Sequence, residues 1–191
     1  MRQFKESVER YGLVAQALHW AGFALLCASF WVGLSMVDLP VSPQRIRDTA
    51  LHKSIGVTIF LLTALRLLWR QLNPPPPLPA SMPAWEKAAA GASHTLLYLL
   101  VLAVPASGWL MSSALGFPTR LFGLAQLPDL IERNRELGEF LKQVHFLLNK
   151  SLLALVALHV AAALKHHLVD RDGVLLRMLP GAGARKEAGP T

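Results

Sequence analysis

The sequence predicts an all-α fold, an integral membrane up-and-down bundle of four helices, on three observations. Of its 191 residues 53% are hydrophobic and 16% charged, with mean hydropathy +0.38; a soluble domain of this size needs more charge to cover its surface. Four long apolar runs punctuate the chain. The basic residues behind the net charge of +7 sit in the connections between those runs and in the tail, so phospholipid headgroups, and no nucleic acid, are their expected partner.

The first run, Trp20 to Val37, holds 18 residues without a charge. No A-x-A site follows it before Asp38, so it reads as a retained helix and not as a cleaved signal. The second, about Ser54 to Trp69, is the shortest and spans with Lys53 and Arg66 snorkelling at its ends. The third, Thr95 to Phe117, carries Pro105, which predicts a kink. The fourth, Val144 to Leu164, is broken by Asn149, Lys150 and His159. All four approach the roughly 20 residues needed to cross the hydrocarbon core.

Lys and Arg counts predict the orientation. With both termini cytoplasmic, that side holds Arg2, Lys5, Arg10, Arg66, Arg70, Lys87, Lys165, Arg171, Arg177, Arg185 and Lys186, eleven in all. The other side holds seven: Arg45, Arg47, Lys53, Arg120, Arg133, Arg135 and Lys142. Residues 74–79, PPPPLP, read as a stiff polyproline connection. Residues 128–143 carry Leu130, Ile131, Leu137, Phe140 and Leu141 at helical spacing, predicting an amphipathic extension of the fourth helix. Residues 1–180 read as one membrane domain, followed by a small, polar, disordered tail over 181–191.

The chemistry lies in seven histidines: His19, His52, His94, His145, His159, His166 and His167, each within or at the edge of an apolar run. Ionisable residues at such depth are costly and mark function by default. His145 and His159 are 14 residues apart, which puts them on one helix face and roughly 21 Å apart along the axis. In a core about 30 Å thick, that sets one near each surface. Up-and-down topology brings His19 level with His159 and His52 level with His145. Four histidines on three helices thus predict two bis-imidazole sites for two haem irons. Helix packing by polar contacts explains one such histidine but not this pairing. A zinc-type site would want a carboxylate or thiolate beside the imidazoles, and the runs offer neither. The lone Cys27 excludes C-x-x-C-H attachment, so any haem here is held without covalent attachment. His94 also opens its helix on the inner side, and spacing leaves the choice between His19 and His94 open.

With these residues placed, the chain resembles the bacterial cytochrome b561 family, which includes a membrane-bound superoxide oxidase. The resembling stretches are ALHWAGFALL at 17–26, HKSIG at 52–56, LRLLWR at 65–70, SHTLLYLLVLAVPASGWLM at 93–111 and ALHVAAALKHHLVDRDGVLLRMLPG at 157–181. The resemblance implies a bacterial inner-membrane oxidoreductase in which His19 pairs with His159 for the inner haem and His52 with His145 for the outer. It further implies electron transfer from a periplasmic donor, superoxide, to ubiquinone, at a quinone site for which His94 and His166 are the candidates. Lys53, Arg45 and Arg47 are candidates for steering a small anion or neutralising a haem propionate, and as solvated loop charges they weigh equally. Arg66 is a second propionate candidate. His167 reads as an interfacial residue and Lys150 as a snorkelling one. The rival reading is an anchor subunit docking a soluble dehydrogenase or hydrogenase to the quinone pool, which predicts a stoichiometric soluble redox partner.

Overall fold

The computed structural model describes residues 10–181; the tail predicted to be disordered lies, beyond Gly181, outside the described residues. Helix α1 spans Leu13–Val37, α2 Pro43–Leu72, α3 Ala84–Ala114 and α4 Arg135–Lys165. All four are long and apolar enough to cross a membrane. A two-stranded hairpin, β1 Arg120–Leu121 and β2 Ala125–Gln126, lies between α3 and α4.

Each helix begins before its predicted apolar run, by seven residues in α1 and by nine to eleven in the others. Helix α2 begins eleven residues before Ser54. Pro43 occupies its first turn, and Ser42 Oγ accepts from the Arg45 amide at 3.3 Å, a start that satisfies an otherwise orphaned donor. Helix α3 ends at Ala114, short of the predicted Phe117, where Gly116 takes φ +75°. The predicted extension of α4 holds only from Arg135. Asn134 Oδ1 caps it by accepting from the Leu137 amide at 3.0 Å, so residues 128–134 are a loop despite their apolar spacing.

Close packing runs α1 on α2, α2 on α3 and α3 on α4. Burial is inverted relative to a soluble bundle. Trp31, Leu34 and Leu72 are 78%, 69% and 70% exposed, while Gln16, Ser29, Ser54, Thr63, Ser107, Ser112 and Ser113 are buried. Small and polar residues at helix interfaces let backbones approach and supply interhelical hydrogen bonds, and the large apolar side chains are left for lipid. Near mid-height Gly56 faces Pro105, where a Cβ would lie 3.7 Å from the proline ring.

Beyond Lys165 the helix widens into a π turn over His166–Asp170, and Arg171 then adopts φ +52°. The chain folds back across the start of α1. Gln16 Nε2 donates to the Arg177 carbonyl at 3.2 Å, Trp20 Nε1 to that of Met178 at 2.8 Å, and the Arg177 guanidinium to Pro77 of the polyproline loop at 2.7 Å. This end of the bundle is stitched shut by backbone acceptors.

Candidate functional site

The bundle brings His52 of α2 and His145 of α4 together, ring centroids 6.4 Å apart and planes at 85°. Nδ1 of His52 lies 3.1 Å from the Ser29 carbonyl, and Nδ1 of His145 lies 3.0 Å from the Val104 carbonyl. A carbonyl only accepts, so each Nδ1 carries the proton and each Nε2 keeps a free lone pair. Ser107 Oγ, which donates to the Val104 carbonyl at 2.7 Å, stands 3.0 Å from His145 Nδ1 as a second acceptor, and Ser29 Oγ lies 3.4 Å from His52 Nδ1. Leu26, Phe30, Ile59, Val101, Asn149 and Leu152 are among the residues lining the cavity at this pair.

A second pair stands at the other end of α4, where the rings of His19 and His159 are 6.5 Å apart with planes at 76°. A metal between two imidazoles sits about 2 Å from each nitrogen, which with the rings' own radii sets their centroids about 6.3 Å apart. Both pairs have that span. The donor set, neutral imidazoles meeting across the bundle interior, suits a haem iron in each place. His94 of α3 lies closer to His159, at 5.4 Å, almost an ångström short of it. It leans edge-on against the His159 ring.

The His19–His159 end is positively charged. Arg66 is near enough to His19, His94 and His159 to interact with each electrostatically. Its guanidinium lies 5.4 Å from the centre of the Tyr98 ring, with that of Arg70 at 5.9 Å. Among the described residues neither arginine has a carboxylate partner. Burial raises the affinity of the Tyr11 phenol for its proton, against the pull of Arg70. Gln16 Oε1 is buried there without a hydrogen-bond partner.

The remaining predicted site residues are spoken for in different ways. Lys53 donates to Ser112 Oγ at 2.9 Å and to the carbonyls of Pro118 and Phe117 at 2.8 and 3.4 Å, using its three N–H bonds to tie α2 to the end of α3. Arg45 donates to the Leu39 carbonyl at 2.8 Å, closing the α1–α2 turn, while Arg47 is exposed. His166 Nδ1 meets Asp172 at 2.7 Å and Asp170 at 3.0 Å, with Glu86 3.9 Å from its Nε2. Lys165 bridges Glu86 and Asp170 at 2.7 and 2.8 Å. His167 is exposed.

Sequence reasoning missed Ser29, Val104, Ser107 and the two glycines beside the His52 and His145 rings. A Cβ on Gly33 would lie 3.0 Å from His52 Cε1, and one on Gly108 3.1 Å from His145 Cε1. The signal available was a small residue inside a run of bulky ones, which in a membrane helix marks close approach.

The family model for prokaryotic cytochrome b561 matches residues 10–181. Cytochrome b561 homolog 2 of Escherichia coli (strain K12) is 38% identical, over 92% of this chain and 94% of that protein. Cytochrome b561 homolog 1 of the same organism is 30% identical over 71% and 75%. The probable superoxide oxidase CybB of Yersinia pestis is 28% identical over 90% and 97%.

Proposed function

The chain belongs to the prokaryotic cytochrome b561 family, a family of membrane oxidoreductases, and from that premise we propose that it carries electrons between two haem b groups from a periplasmic donor to ubiquinone. The observation that carries this reading is the pair of histidine spans, 6.4 and 6.5 Å. His52 and His145 hold the outer haem, and His19 and His159 the inner. Haem supplies a one-electron couple when bound; the residues supply position, charge and protons.

The donor is superoxide, a reading supported by the name of the Yersinia pestis relative. Two superoxide anions and two protons convert ubiquinone to ubiquinol and leave two molecules of dioxygen. Exposed Arg47, in the first turns of α2, attracts the anion through the local field. Lys53 and Arg45 contribute charge there, although their N–H groups serve the fold. At the inner end Arg66, beside His19, His94 and His159, would offer its charge to the carboxylates of a haem held there, as a guanidinium without a carboxylate of its own is suited to do. His94, beside His159, and His166, held by Asp170 and Asp172, serve quinone binding and proton delivery. Both termini face the cytoplasm, on the eleven-to-seven bias of basic residues.

The experiment is superoxide decay measured with detergent-purified protein and ubiquinone, alongside a pyridine haemochrome assay. Quinone-dependent acceleration with two b haems per chain is expected. Two haems without acceleration would remove superoxide as donor and leave the cytochrome; fewer than two would remove a histidine pair.

A further inference from the structure

The two outer imidazoles are seated in the same way on different helices. His52 donates to the carbonyl of Ser29, and the residue one turn further along α1 is Gly33. His145 donates to the carbonyl of Val104, and the residue one turn further along α3 is Gly108. In a helix each Cβ points toward the N-terminus, so the side chain at position i+4 covers the carbonyl of residue i. Glycine at i+4 uncovers it. The carbonyl can then accept a second hydrogen bond from a neighbouring helix, and the ring can lie where the side chain would have been, 3.0 to 3.1 Å from the place of the missing Cβ. On α3 a hydroxyl joins in: Ser107 Oγ is 2.7 Å from the Val104 carbonyl and 3.0 Å from His145 Nδ1.

The inner end is built otherwise. Among the described residues no hydrogen-bond acceptor meets a ring nitrogen of His19 or His159. The glycines nearest in sequence to its histidines cradle nothing comparable. A Cβ on Gly22 would make only an ordinary contact with Leu62 at 3.8 Å, and one on Gly91 would meet nothing within 4 Å.

We infer that Ser29–Gly33 and Val104–Ser107–Gly108 are positioning sockets that make the outer haem the more reducing of the two. This rests on the paired-histidine reading above. A hydrogen bond from Nδ1–H to a carbonyl raises the basicity of the coordinating Nε2 and fixes the ring's orientation. A more basic donor favours the ferric state and lowers the potential. The inner site has no such bonds and lies beside Arg66, whose positive charge favours the added electron. Electrons entering at the outer site therefore run downhill toward the inner one.

The test is potentiometric titration of the detergent-purified holoprotein, with His52→Ala identifying the inner haem by leaving it alone. Ser107→Ala removes one acceptor and is small enough to spare the fold. It is expected to raise the outer potential, a shift of up to about tenfold in the reduction equilibrium, the worth of one hydrogen bond. Gly108→Ala and Gly33→Ala are expected to displace a ring and either raise the outer potential or reduce the haem content from two to one. Gly91→Ala is expected to change neither haem. Fewer than two haems in the wild type would overturn the paired-histidine reading and this inference with it. Two haems with the outer potential unmoved in Ser107→Ala, or moved equally with the inner, would overturn the sockets alone.

Discussion

His94 and His159 stand 5.4 Å apart, centroid to centroid, which is too near for the two rings to lie on opposite sides of one metal, while His19 faces the same His159 at 6.5 Å. This end of the bundle thus holds three imidazoles, of which only His19 and His159 have the span of opposed ligands. Single alanine substitutions separate the roles. His52→Ala, His145→Ala, His19→Ala and His159→Ala are each expected to leave one haem per chain, whereas His94→Ala retains two. Haem-to-protein ratios from the pyridine haemochrome check all five, and a second haem lost in His94→Ala would reverse the inner assignment.

Lys53 holds the fold together more than it steers. Its three hydrogen bonds join α2 to Ser112 and to the Phe117–Pro118 turn, and hydrogen bonds from a charged donor are worth about 1.5–3 kcal/mol when intact. Part exposure reduces that, so Lys53→Met is expected to cost about 1–2 kcal/mol, seen as a lower melting temperature in detergent. Arg47→Gln, by contrast, should leave melting unchanged and reduce the superoxide rate most at low salt, since screening already weakens steering at high salt.

Among the described glycines, Gly138 of α4 has the closest neighbour, Leu115 at the end of α3. A Cβ there would lie 2.5 Å from Leu115 Cδ2 and 3.4 Å from the Leu115 amide nitrogen. Gly138→Ala is expected to destabilise by about 1–3 kcal/mol through overpacking. The double variant with Leu115→Ala should recover part of that loss, because the clash is chiefly with the leucine side chain. Thermal melts of the two singles and the double measure the coupling.

His166 is bound on one nitrogen by Asp170 and Asp172 and faces Glu86 with the other. His166→Phe is expected to slow steady-state quinol formation several-fold while leaving two haems per chain and their reduction by dithionite intact. Unchanged quinol formation would assign His166 to holding the π turn and not to proton supply.

How much of this the sequence carried follows from what each residue depends on. The helices were legible because lipid selects long apolar runs, and His145 and His159 because fourteen residues along one helix fix both face and depth. His52 and His19 followed from the alternation of chain direction. Spacing left His19 and His94 equivalent, since both sit at the same end of the bundle; their differing distances to His159 depend on how the helices pack. Nor was the role of Lys53, which depends on where the turn after α3 comes to rest. The seats of the outer rings were hidden for a deeper reason. Their acceptors are main-chain carbonyls, which every residue has, and only the missing side chains of Gly33 and Gly108 make two of them available. The hairpin was missed as well. Its turn needs positive φ at both Phe122 and Gly123, found at +48° and +76°, and phenylalanine is a poor advertisement for that conformation.

The rings of each pair meet nearly at right angles, 85° at one end and 76° at the other. For a low-spin ferric ion so held, the two d orbitals that reach toward the axial rings each find one imidazole π system, and neither is favoured over the other. The unpaired electron is then left in an almost degenerate pair, with its orbital angular momentum largely unquenched. With haem held by both pairs, the oxidised protein should accordingly give magnetic resonance signals that are broad and extremely anisotropic, quite unlike the rhombic spectrum of parallel rings.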